Sequence, residues 1–307
     1  MSKLISVIIP NFNNAQWLPK CIDSCLAQQG NFTIEIIVVD DQSTDNSWEI
    51  LTKYRTRFPD QISIYENPIK GGNNARNYGF SKSSGDYIQW LDSDDFILPG
   101  KLHHQITFFA SNPDADIVYS DWRMDFYKAD AIIEKEEQYE QNYDDFLIKL
   151  LNNEWLPPLS YLLRREIAVK LDHDKGWSPT TKIGQDREYF TMAAIIGANF
   201  KYVNGLFSVY NRWSKATVSN SMDDEKRSEE VVKLNNRFHG EIVKSELIRE
   251  KKKYINNLNA ELLRILFYNP GLSIGRRFYF WQLDPRRLHW KQRFFLPYLY
   301  LLHLIRK

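Results

Sequence analysis

Short apolar runs alternate with helical spacings of apolar residues over the first hundred positions. The apolar runs predict buried strands of a sheet, and they lie at 4–9, 34–39, 62–65 and 87–91. Apolar residues spaced three and four apart predict the intervening helices, at 15–29, at 45–58 and from Gly71-Gly72 through Phe80. This alternation predicts a mostly parallel, Rossmann-like α/β sheet flanked by helices, with right-handed connections.

The same two patterns are less regular after residue 100. They predict helices at 101–111, 144–152 and 184–198, a strand at 116–122, and a strand followed by a helix over 161–171. Residues 123–142 are rich in charge and fit either antiparallel strands or a mobile loop. In 201–213 the turn dipeptide Asn204-Gly205 separates two apolar stretches, which predicts a hairpin of two short strands.

A polar stretch at 214–224 predicts a domain boundary. The first domain is predicted over 1–220, in two halves at about 1–100 and about 101–220. Residues 221–307 are predicted to form a C-terminal helical extension that becomes basic and aromatic toward its end. The helical pattern at 225–266 fits either a dimer contact or a support packed on the sheet, so the oligomeric state stays open.

Charge is distributed unevenly, although the whole chain carries only +1. Residues 264–307 contain nine Lys and Arg against one acid, a charge of +8, and the preceding residues carry −7. The small net charge gives no reason to expect a nucleic acid partner. The basic residues of the tail alternate with aromatic residues, which predicts contact with an anionic membrane surface. The alternative is a helical cap that packs on the first domain.

The N-terminal region and the two cysteines indicate the cellular compartment of the protein. Cys21 and Cys25 lie four apart on a predicted helix and fit half-buried core thiols in a reducing compartment. The first apolar run is too short for a signal peptide, and no run approaches the roughly 18 apolar residues of a spanning helix. These features predict a cytoplasmic protein, peripheral on the cytoplasmic face of the membrane if the tail binds there.

Carboxylates follow two predicted strands at their C-terminal ends, where open α/β sheets bind ligands. Asp40 and Asp41 follow the second strand, and the sequence DSDD at 92–95 follows the fourth. One explanation is the capping of a helix N-terminus, which needs only one such residue. The other is a divalent cation, whose charge offsets the repulsion among the carboxylates. The position at strand ends favours the cation.

The glycine-rich stretch GGNNARNYG begins at Gly71. Its two leading glycines would let the backbone approach a ligand closely, and Arg76 offers a fork of donors suited to a phosphate. A glycine turn before a helix with a surface arginine is the alternative. Together with the strand-end carboxylates, this stretch suits the binding of a nucleotide diphosphate. One carboxylate can accept a hydrogen bond from the base, and a cation held by another can bridge the two phosphates.

Four motifs stand in the order and at the spacing seen in family-two glycosyltransferases, which the chain resembles over about residues 4–213. These motifs are SVIIPNFNN, IEIIVVDDQSTDNS, NNARNYGFSKSSGDYIQWLDSDD and GQDREYF. The resemblance implies a GT-A type fold and a nucleotide-sugar donor, with a UDP-sugar favoured. It also implies a divalent metal cofactor, Mn²⁺ or Mg²⁺. For the predicted domain 1–220 it implies a GT-A catalytic domain, with a nucleotide-binding half at about 1–100 and an acceptor half at about 101–220.

Donor-binding residues are implied by the resemblance, position by position. The nucleotide pocket is implied to include three residues after the first strand: Pro10, Phe12 and Asn13. Asp41 matches the acid that recognises the base, and Arg76 matches the arginine beside the diphosphate. A late histidine ligand is not evident, and Arg212 is predicted to cover the diphosphate instead.

The family's D-x-D motif matches Asp92, Ser93 and Asp94. The resemblance implies Asp94 as the metal ligand, Asp92 as a contact to the ribose or to a metal-bound water, and Ser93 as part of the donor site. Asp186 matches the catalytic base. Gln185 stands where many members carry glutamate, which removes a charge next to this base.

The predicted function is a metal-dependent glycosyltransferase that acts on a hydroxyl of a polysaccharide or lipid-linked glycan of the cell envelope. With Asp186 opposite the leaving diphosphate, attack is in line and the anomeric centre inverts. One alternative is a sugar nucleotidyltransferase, which is disfavoured because PNFN at 10–13 replaces that class's glycine-rich, lysine-containing signature. The other is an inactive glycan- or nucleotide-binding module, against which the intact Asp94 and Asp186 argue.

Overall fold

A computed structural model describes residues 2–128, 131–173, 176–213 and 224–268 of the chain. The chain forms two compact units, each built from separate segments. The first comprises 1–144, 156–180 and 198–215, and the second comprises 145–155, 181–197 and 216–307. The predicted boundary at 220 and the basic tail at 269–307 lie outside the described residues, so the division into 1–220 and 221–307 stays a prediction.

The N-terminal half of the first unit follows the predicted alternation of strands and helices. Its strands are β1 (Lys3–Asn11), β2 (Phe32–Asp40), β3 (Ile62–Glu66) and β4 (Tyr87–Trp90). Its helices are α1 (Leu18–Leu26), α2 (Ser47–Arg57) and α3 (Gly72–Ser81). The strands pair in parallel in the order β3-β2-β1-β4, so their C-terminal ends lie along one edge of the sheet. The predicted parallel α/β arrangement is therefore confirmed here.

The rest of the chain adds strands of both directions and six further helices among the described residues. The strands are β5 (Phe96–Ile97), β6 (Ile117–Lys128), β7 (Ala131–Gln138), β8 (Tyr161–Arg164) and β9 (Phe200–Trp213). The helices are α4 (Lys101–Ser111), α5 (Phe146–Leu151), α6 (Arg165–His173), α7 (Gln185–Ile195), α8 (Asp224–Lys244) and α9 (Lys251–Tyr268). The full sheet runs β3-β2-β1-β4-β8-β6-β9-β5, with β7 on β6, and is mixed because β8, β7 and β5 pair antiparallel. No described helix is both long and apolar enough to cross a membrane.

The predicted hairpin at 201–213 is wrong, because these residues form the single strand β9. β9 pairs in parallel with β6 on both sides of Asn204-Gly205, and the register shifts between Ser120 and Trp122. Gly205 has φ +137°, a left-handed conformation that favours glycine, and its N–H donates to Asp121. The turn dipeptide therefore forms a bulge within one long strand. Of the two alternatives for 123–142, the antiparallel strands are confirmed by β6 and β7.

Each unit has its own apolar core. In the first unit, residues of β1 and β2 such as Val7 and Val38 pack with α1 through Ile22, and the same cluster extends to Leu102 and Leu162. Cys21 and Cys25 lie fully buried in this cluster as free thiols. In the second unit, α5, α7, α8 and α9 share one cluster. Burial of this apolar surface is the main stabilising term for each unit.

Lys101 is a fully buried lysine at the start of α4. Its Nζ donates to Gln89 Oε1 at 2.5 Å and to Gln105 Oε1 at 2.7 Å. Burial lowers the pKa of Lys101 well below its usual 10.5. We expect Lys101→Met to lower the free energy of unfolding by about 1–3 kcal/mol, because it leaves buried amide oxygens without a donor.

The decrease in the free energy of unfolding caused by Lys101→Met should be larger at higher pH. Urea unfolding of both proteins at about pH 7.5 and about pH 9.5 would measure it. The unfolded chain binds the Lys101 proton more tightly than the folded chain, so the wild type gains stability from this group as pH rises between the two pKa values. Lys53→Met is the control, since Lys53 is exposed and pairs with Glu49 on the same exposed helix face. Equal stability of Lys101→Met and the wild type at both pH values would contradict this role.

Candidate active site

Asp40, the last residue of β2, is a buried structural residue. Its Oδ1 accepts from Asn11 Nδ2 at 2.7 Å and from Ser43 Oγ at 2.7 Å, and its Oδ2 accepts from the Ser43 backbone N–H at 2.9 Å. Ser43 Oγ also accepts from the backbone N–H of Asn13 at 2.9 Å. Asp40 therefore ties the end of β1 and the loop after it to the loop after β2. The predicted pocket residue Pro10 lies near the end of β1, and Phe12 and Asn13 lie in the loop that follows.

Asp41, the next residue, is held by the loop that precedes α3. Its Oδ1 accepts from Asn67 Nδ2 at 2.6 Å and from the Gly71 backbone N–H at 2.8 Å. Its Oδ2 accepts from the Gly71 N–H at 3.0 Å. Phe12 is 45% exposed, and the Lys70 ammonium lies 4.7 Å from the centroid of its ring. An acceptor carboxylate and an exposed aromatic ring therefore lie on neighbouring loops that the sheet holds together.

The DSDD segment after β4 contacts the same loops. Ser93 Oγ accepts from Asn14 Nδ2 at 2.8 Å, and Asn13 Oδ1 accepts from the Thr44 backbone N–H at 2.7 Å. The backbone N–H of Asp95 donates to the carbonyl of Asp92 at 3.0 Å, which closes a tight turn. The structure therefore brings the predicted residues Asn13 and Ser93 into one hydrogen-bonded region beyond the ends of β1, β2 and β4.

Arg76 is a buried arginine on α3, not a surface residue. Its Nη2 forms an ion pair with Asp92 Oδ1 at 2.5 Å, and its Nη1 donates to Asn73 Oδ1 at 3.2 Å. The guanidinium lies 4.5 Å from the centroid of the Trp177 ring. Of the two interpretations of the glycine-rich stretch, the surface arginine is therefore excluded, and the guanidinium is fixed on three sides next to the D-x-D segment.

The segment that contains Trp177 is fastened to α3 through two asparagines. Asn73 Nδ2 donates to the Ser178 carbonyl at 2.6 Å, and Asn77 Nδ2 donates to the Trp177 carbonyl at 2.7 Å. Asn77 Oδ1 accepts from the Trp177 backbone N–H at 2.9 Å. The segment 176–180 therefore supports the face of Arg76 that does not contact Asp92.

The end of β9 contacts the acids of the DSDD segment. The Asn211 backbone N–H donates to Asp95 Oδ1 at 2.8 Å, and Asn211 Nδ2 donates to the Asp94 carbonyl. The next residue, Arg212, is exposed, and its guanidinium lies 5.8 Å from the Phe126 ring centroid. The structure therefore places Arg212 directly after the strand residue that contacts Asp94 and Asp95, while its role at the diphosphate stays a prediction.

The donor set around Asp94 fits only a metal ion that is shared with a ligand. Within the described ranges, no group of three or more His, Cys, Asp or Glu side chains is placed to hold a metal. Mg²⁺-like cations, however, often bind through one or two carboxylates, several waters and substrate phosphates. Asp94 is half-buried and Asp92 is half-buried beside Arg76, and carboxylates of this kind suit such a donor-completed site.

Asp186 belongs to the second unit, in the first turn of α7. It is half-buried, and the residue before it, Gln185, donates from Nε2 to the Thr181 carbonyl at 3.1 Å. The residues after it, Arg187 and Glu188, are buried. The other predicted site residues all belong to the first unit. The position of Asp186 opposite the donor stays a prediction.

Sequence reasoning missed four residues that support the site: Asn67, Asn73, Trp177 and Asn211. Each acts through a long-range contact, such as the Asn73 contact to the carbonyl of Ser178. Trp177 lies in none of the four motifs, so nothing in the sequence connected it with Arg76. The asparagines within GGNNARNYG were visible as a polar cluster, but their partners were not.

A family model for "Glycosyl transferase family 2" matches residues 6–168, just over half of the chain. The chain is 34% identical over 173 residues to an uncharacterized glycosyltransferase of Nostoc sp., covering 54% of this chain and 52% of that protein. It is 28% identical over 240 residues to the glycosyltransferase GlyG of Streptococcus pneumoniae, covering 73% of this chain and 75% of GlyG. The chain spans about half the length, or less, of the first curated relatives that it matches.

One further curated relative and one solved structure are also similar to this chain. A poly(ribitol-phosphate) beta-glucosyltransferase of Bacillus spizizenii is 27% identical over 226 residues, covering 64% of this chain and 35% of that protein. A crystal structure of S. aureus TarS in complex with UDP-GlcNAc superposes with a TM-score of 0.68 at 20% identity, covering 97% of this chain and 87% of that one.

A mannosyltransferase of Pyrobaculum calidifontis in complex with GDP-Man and Mn²⁺ superposes with a TM-score of 0.54 at 16% identity, covering 100% of this chain and 88% of that one. At these identities the two structural likenesses bear on the fold alone, and they confirm the predicted GT-A type α/β fold. The match to the family model carries the assignment itself. By that match, this chain belongs to glycosyl transferase family 2.

Proposed function

We propose that this chain transfers a sugar from a UDP-sugar donor to an acceptor hydroxyl with inversion at the anomeric carbon. The observation that carries the proposal is the hydrogen-bonded set beyond the ends of β1, β2 and β4. In it, Asp41 is held as an acceptor and Arg76 is fixed beside the D-x-D segment. The ligands of the structural neighbours, UDP-GlcNAc in TarS and GDP-Man in the mannosyltransferase, support a nucleotide-sugar donor.

The hydrogen bonds of Asp41 support uracil as the base. Its Oδ1 already accepts from Asn67 and Gly71, while among the described residues its Oδ2 accepts only from the Gly71 N–H, at 3.0 Å. A carboxylate oxygen can accept more than one hydrogen bond, so Oδ2 can take the single N3–H of uracil. Guanine presents two adjacent donors, which are better matched by a carboxylate with both oxygens open. Phe12 offers its exposed ring for stacking on the base.

Arg76 suits the binding of the diphosphate. Its partners Asp92 and Asn73 and the ring of Trp177 fix the guanidinium plane before a ligand arrives. A guanidinium that is already ordered loses little further freedom when it binds a phosphate. The exposed Arg212 would add a second positive charge from the end of β9.

Mn²⁺ or Mg²⁺ would be held by Asp94, with Asp92 contacting the ribose or a metal-bound water. Such an ion, when bound, neutralises negative charge on the leaving diphosphate. The protein's part is to hold the two carboxylates on a short turn, which the Asp95-to-Asp92 backbone hydrogen bond and the contacts of Asn211 stabilise.

Asp186 would act as the general base. An acceptor hydroxyl is a poor nucleophile at neutral pH, so a positioned carboxylate must remove its proton as the new glycosidic bond forms. Attack from the side opposite the diphosphate would invert the anomeric centre. Gln185 leaves this base without the neighbouring carboxylate that many family members carry, which reduces the charge repulsion at Asp186.

A glycan or lipid-linked glycan of the cell envelope is the proposed acceptor. The relative that is named as a poly(ribitol-phosphate) beta-glucosyltransferase supports an envelope polymer. The basic, aromatic tail supports contact with an anionic surface, on the cytoplasmic face of the membrane. These proposals concern partners that bind outside the donor site.

The function is tested by release of nucleoside diphosphate from purified full-length chain in Mn²⁺. We expect the chain to hydrolyse UDP-glucose or UDP-N-acetylglucosamine slowly, and GDP-mannose at least about tenfold more slowly, because of the base contact at Asp41. The control is the same assay in EDTA. Binding of UDP without turnover of any UDP-sugar would instead favour the alternative of an inactive nucleotide-binding module.

A further inference from the structure

The first turn of α7 packs tightly against α8 within the second unit. Gly184, the residue before α7, has φ +64°, and a Cβ placed there would lie 3.1 Å from Leu234 Cδ2 of α8. One apolar cluster joins α5, α7, α8 and α9: Leu147, Leu151, Ile195, Leu234, Phe238, Ile242, Ile248, Ile255 and Leu258. The helix that carries Asp186 therefore shares its core with the two C-terminal helices.

Arg187, the residue after Asp186, connects three helices. Its Nε donates to the Leu150 carbonyl at 2.8 Å, and its Nη2 donates to the Leu151 carbonyl at 3.0 Å. Nη2 also donates to Asn235 Oδ1 on α8 at 3.0 Å. Burial lowers the pKa of Arg187 to about 10, so the guanidinium stays charged at neutral pH. It therefore satisfies the last carbonyls of α5 and binds α8 at the same time.

Glu188, two residues after Asp186, is paired with Arg237 of α8. The Glu188 side chain is 3% exposed, and its Oε1 accepts from Arg237 Nη1. Burial raises the pKa of Glu188, while Thr181 and Arg237 oppose that rise by stabilising the charged form. A buried carboxylate is costly without a compensating charge, so Glu188 depends on Arg237.

We propose that Arg237 is a positioning residue for catalysis, and that α8 holds the first turn of α7, and with it Asp186, in its working orientation. The inference rests on the proposed role of Asp186 as the base. Two successive residues after Asp186 are attached to α8, Arg187 through Asn235 and Glu188 through Arg237. The C-terminal helices are thereby part of the catalytic machinery and not a detachable appendage.

The expected effect of losing this contact is on turnover and not on donor binding. Without Arg237, the Glu188 carboxylate must take up a proton or leave its buried position, and either change shifts the first turn of α7. A general base must lie within hydrogen-bond reach of the proton that it removes. A displacement of about 1 Å can cost about 100-fold in rate. The donor residues, including Asp41 and Arg76, belong to the other unit and keep their own contacts.

The test compares Arg237→Met with Arg237→Lys in the full-length chain. Lys233→Met is the matched control, because Lys233 lies on the same helix and pairs with Glu230 at 2.7 Å but is exposed. The measurements are UDP release from UDP-glucose and UDP-N-acetylglucosamine in Mn²⁺, titration calorimetry with UDP, and thermal unfolding. We expect Arg237→Met to lower kcat about 10-fold to 100-fold, with the donor KM and the UDP Kd within about twofold of wild type.

Arg237→Lys should restore part of kcat, because it returns the positive charge without the planar fork. Lys233→Met should match the wild type in every measurement. A folded Arg237→Met with wild-type kcat would overturn the proposal, and so would an equal loss of kcat and UDP affinity, which indicates general damage.

If Arg237→Met does not fold, Glu188→Gln tests the positioning role of Arg237 instead. This variant keeps an oxygen that can accept from Arg237 but removes the charge, so kcat should fall less than in a variant that loses the contact. A folded Glu188→Gln with wild-type kcat would overturn the proposal. Asp186→Asn separates this result from failure of the proposed function. If Asp186→Asn is inactive while Arg237→Met is fully active, only the positioning role fails, and if Asp186→Asn is active, the assignment of the base fails.

Discussion

Asp186→Asn is expected to lower the turnover of a UDP-sugar by about 100-fold to 10,000-fold, the range for loss of a positioned general base. Asparagine has nearly the shape of aspartate but cannot accept a proton near neutral pH, so the acceptor hydroxyl stays protonated. UDP affinity should stay within about twofold of wild type, because the residues proposed to bind the donor belong to the other unit of the chain. Steady-state kinetics and titration calorimetry with UDP would measure the two effects.

Asp60→Asn is the matched control for this prediction. Asp60 is an exposed aspartate in the turn between α2 and β3, and the same chemical change there should leave both turnover and UDP affinity at wild-type values. Turnover of Asp186→Asn equal to wild type would remove the base assignment. A parallel loss of UDP affinity would indicate that the residue acts in donor binding instead.

The pattern of apolar residues was sufficient to predict the N-terminal half of the fold. In β1 and β2, continuous apolar runs such as that from Ile5 to Ile9 are buried because helices cover both faces of a parallel sheet. Parallel strands also place their C-terminal ends along one edge, so two acidic strand ends sufficed to predict that their side chains lie in one region. These features are local in sequence or follow from general topology.

The course of β9 could not be predicted from the sequence, because pairing with a distant strand overrides a local turn signal. Asn204-Gly205 is a strong hairpin dipeptide, yet β6 supplies partners on both sides of it, and Asp121 binds the Gly205 N–H. The extra residues are absorbed as a bulge. The strand then continues to Asn211, which reaches the DSDD turn, so the misjudged segment is the one that supports Asp94 and Asp95.

The adjacent acids Asp40 and Asp41 show where residue type alone is insufficient. Both are buried aspartates at the end of β2, but Asp40 accepts hydrogen bonds that close the loops, whereas Asp41 is held by Asn67 and Gly71. Asp40 is the last residue of β2, whereas Asp41 is the first residue after that strand, and the two side chains contact different partners. The family motif selected Asp41 as the acid that recognises the base, and that role stays a prediction.

Asp94→Asn is expected to weaken the binding of UDP in Mn²⁺ by about tenfold or more, and to lower turnover by at least about 100-fold. An amide oxygen is a weaker ligand for a hard cation than a carboxylate, and the substitution also removes one negative charge from the turn that would face the ion. Asp92 cannot substitute fully, because its Oδ1 is engaged by Arg76 at 2.5 Å. Titration calorimetry with UDP in Mn²⁺ would measure the binding.

The same titrations in EDTA separate a metal ligand from a residue that contacts the nucleotide directly. If Asp94 acts through a metal, wild type and Asp94→Asn should bind UDP equally weakly in EDTA, and the two should differ only when Mn²⁺ is present. Asp60→Asn again serves as the control and should respond to Mn²⁺ as the wild type does. A wild type that binds UDP equally well in EDTA and in Mn²⁺ would contradict metal dependence. Equal Mn²⁺-dependent affinity in Asp94→Asn would instead move the ligand role to another residue of the DSDD turn, whose backbone is held by Asn211 and by its own internal hydrogen bond.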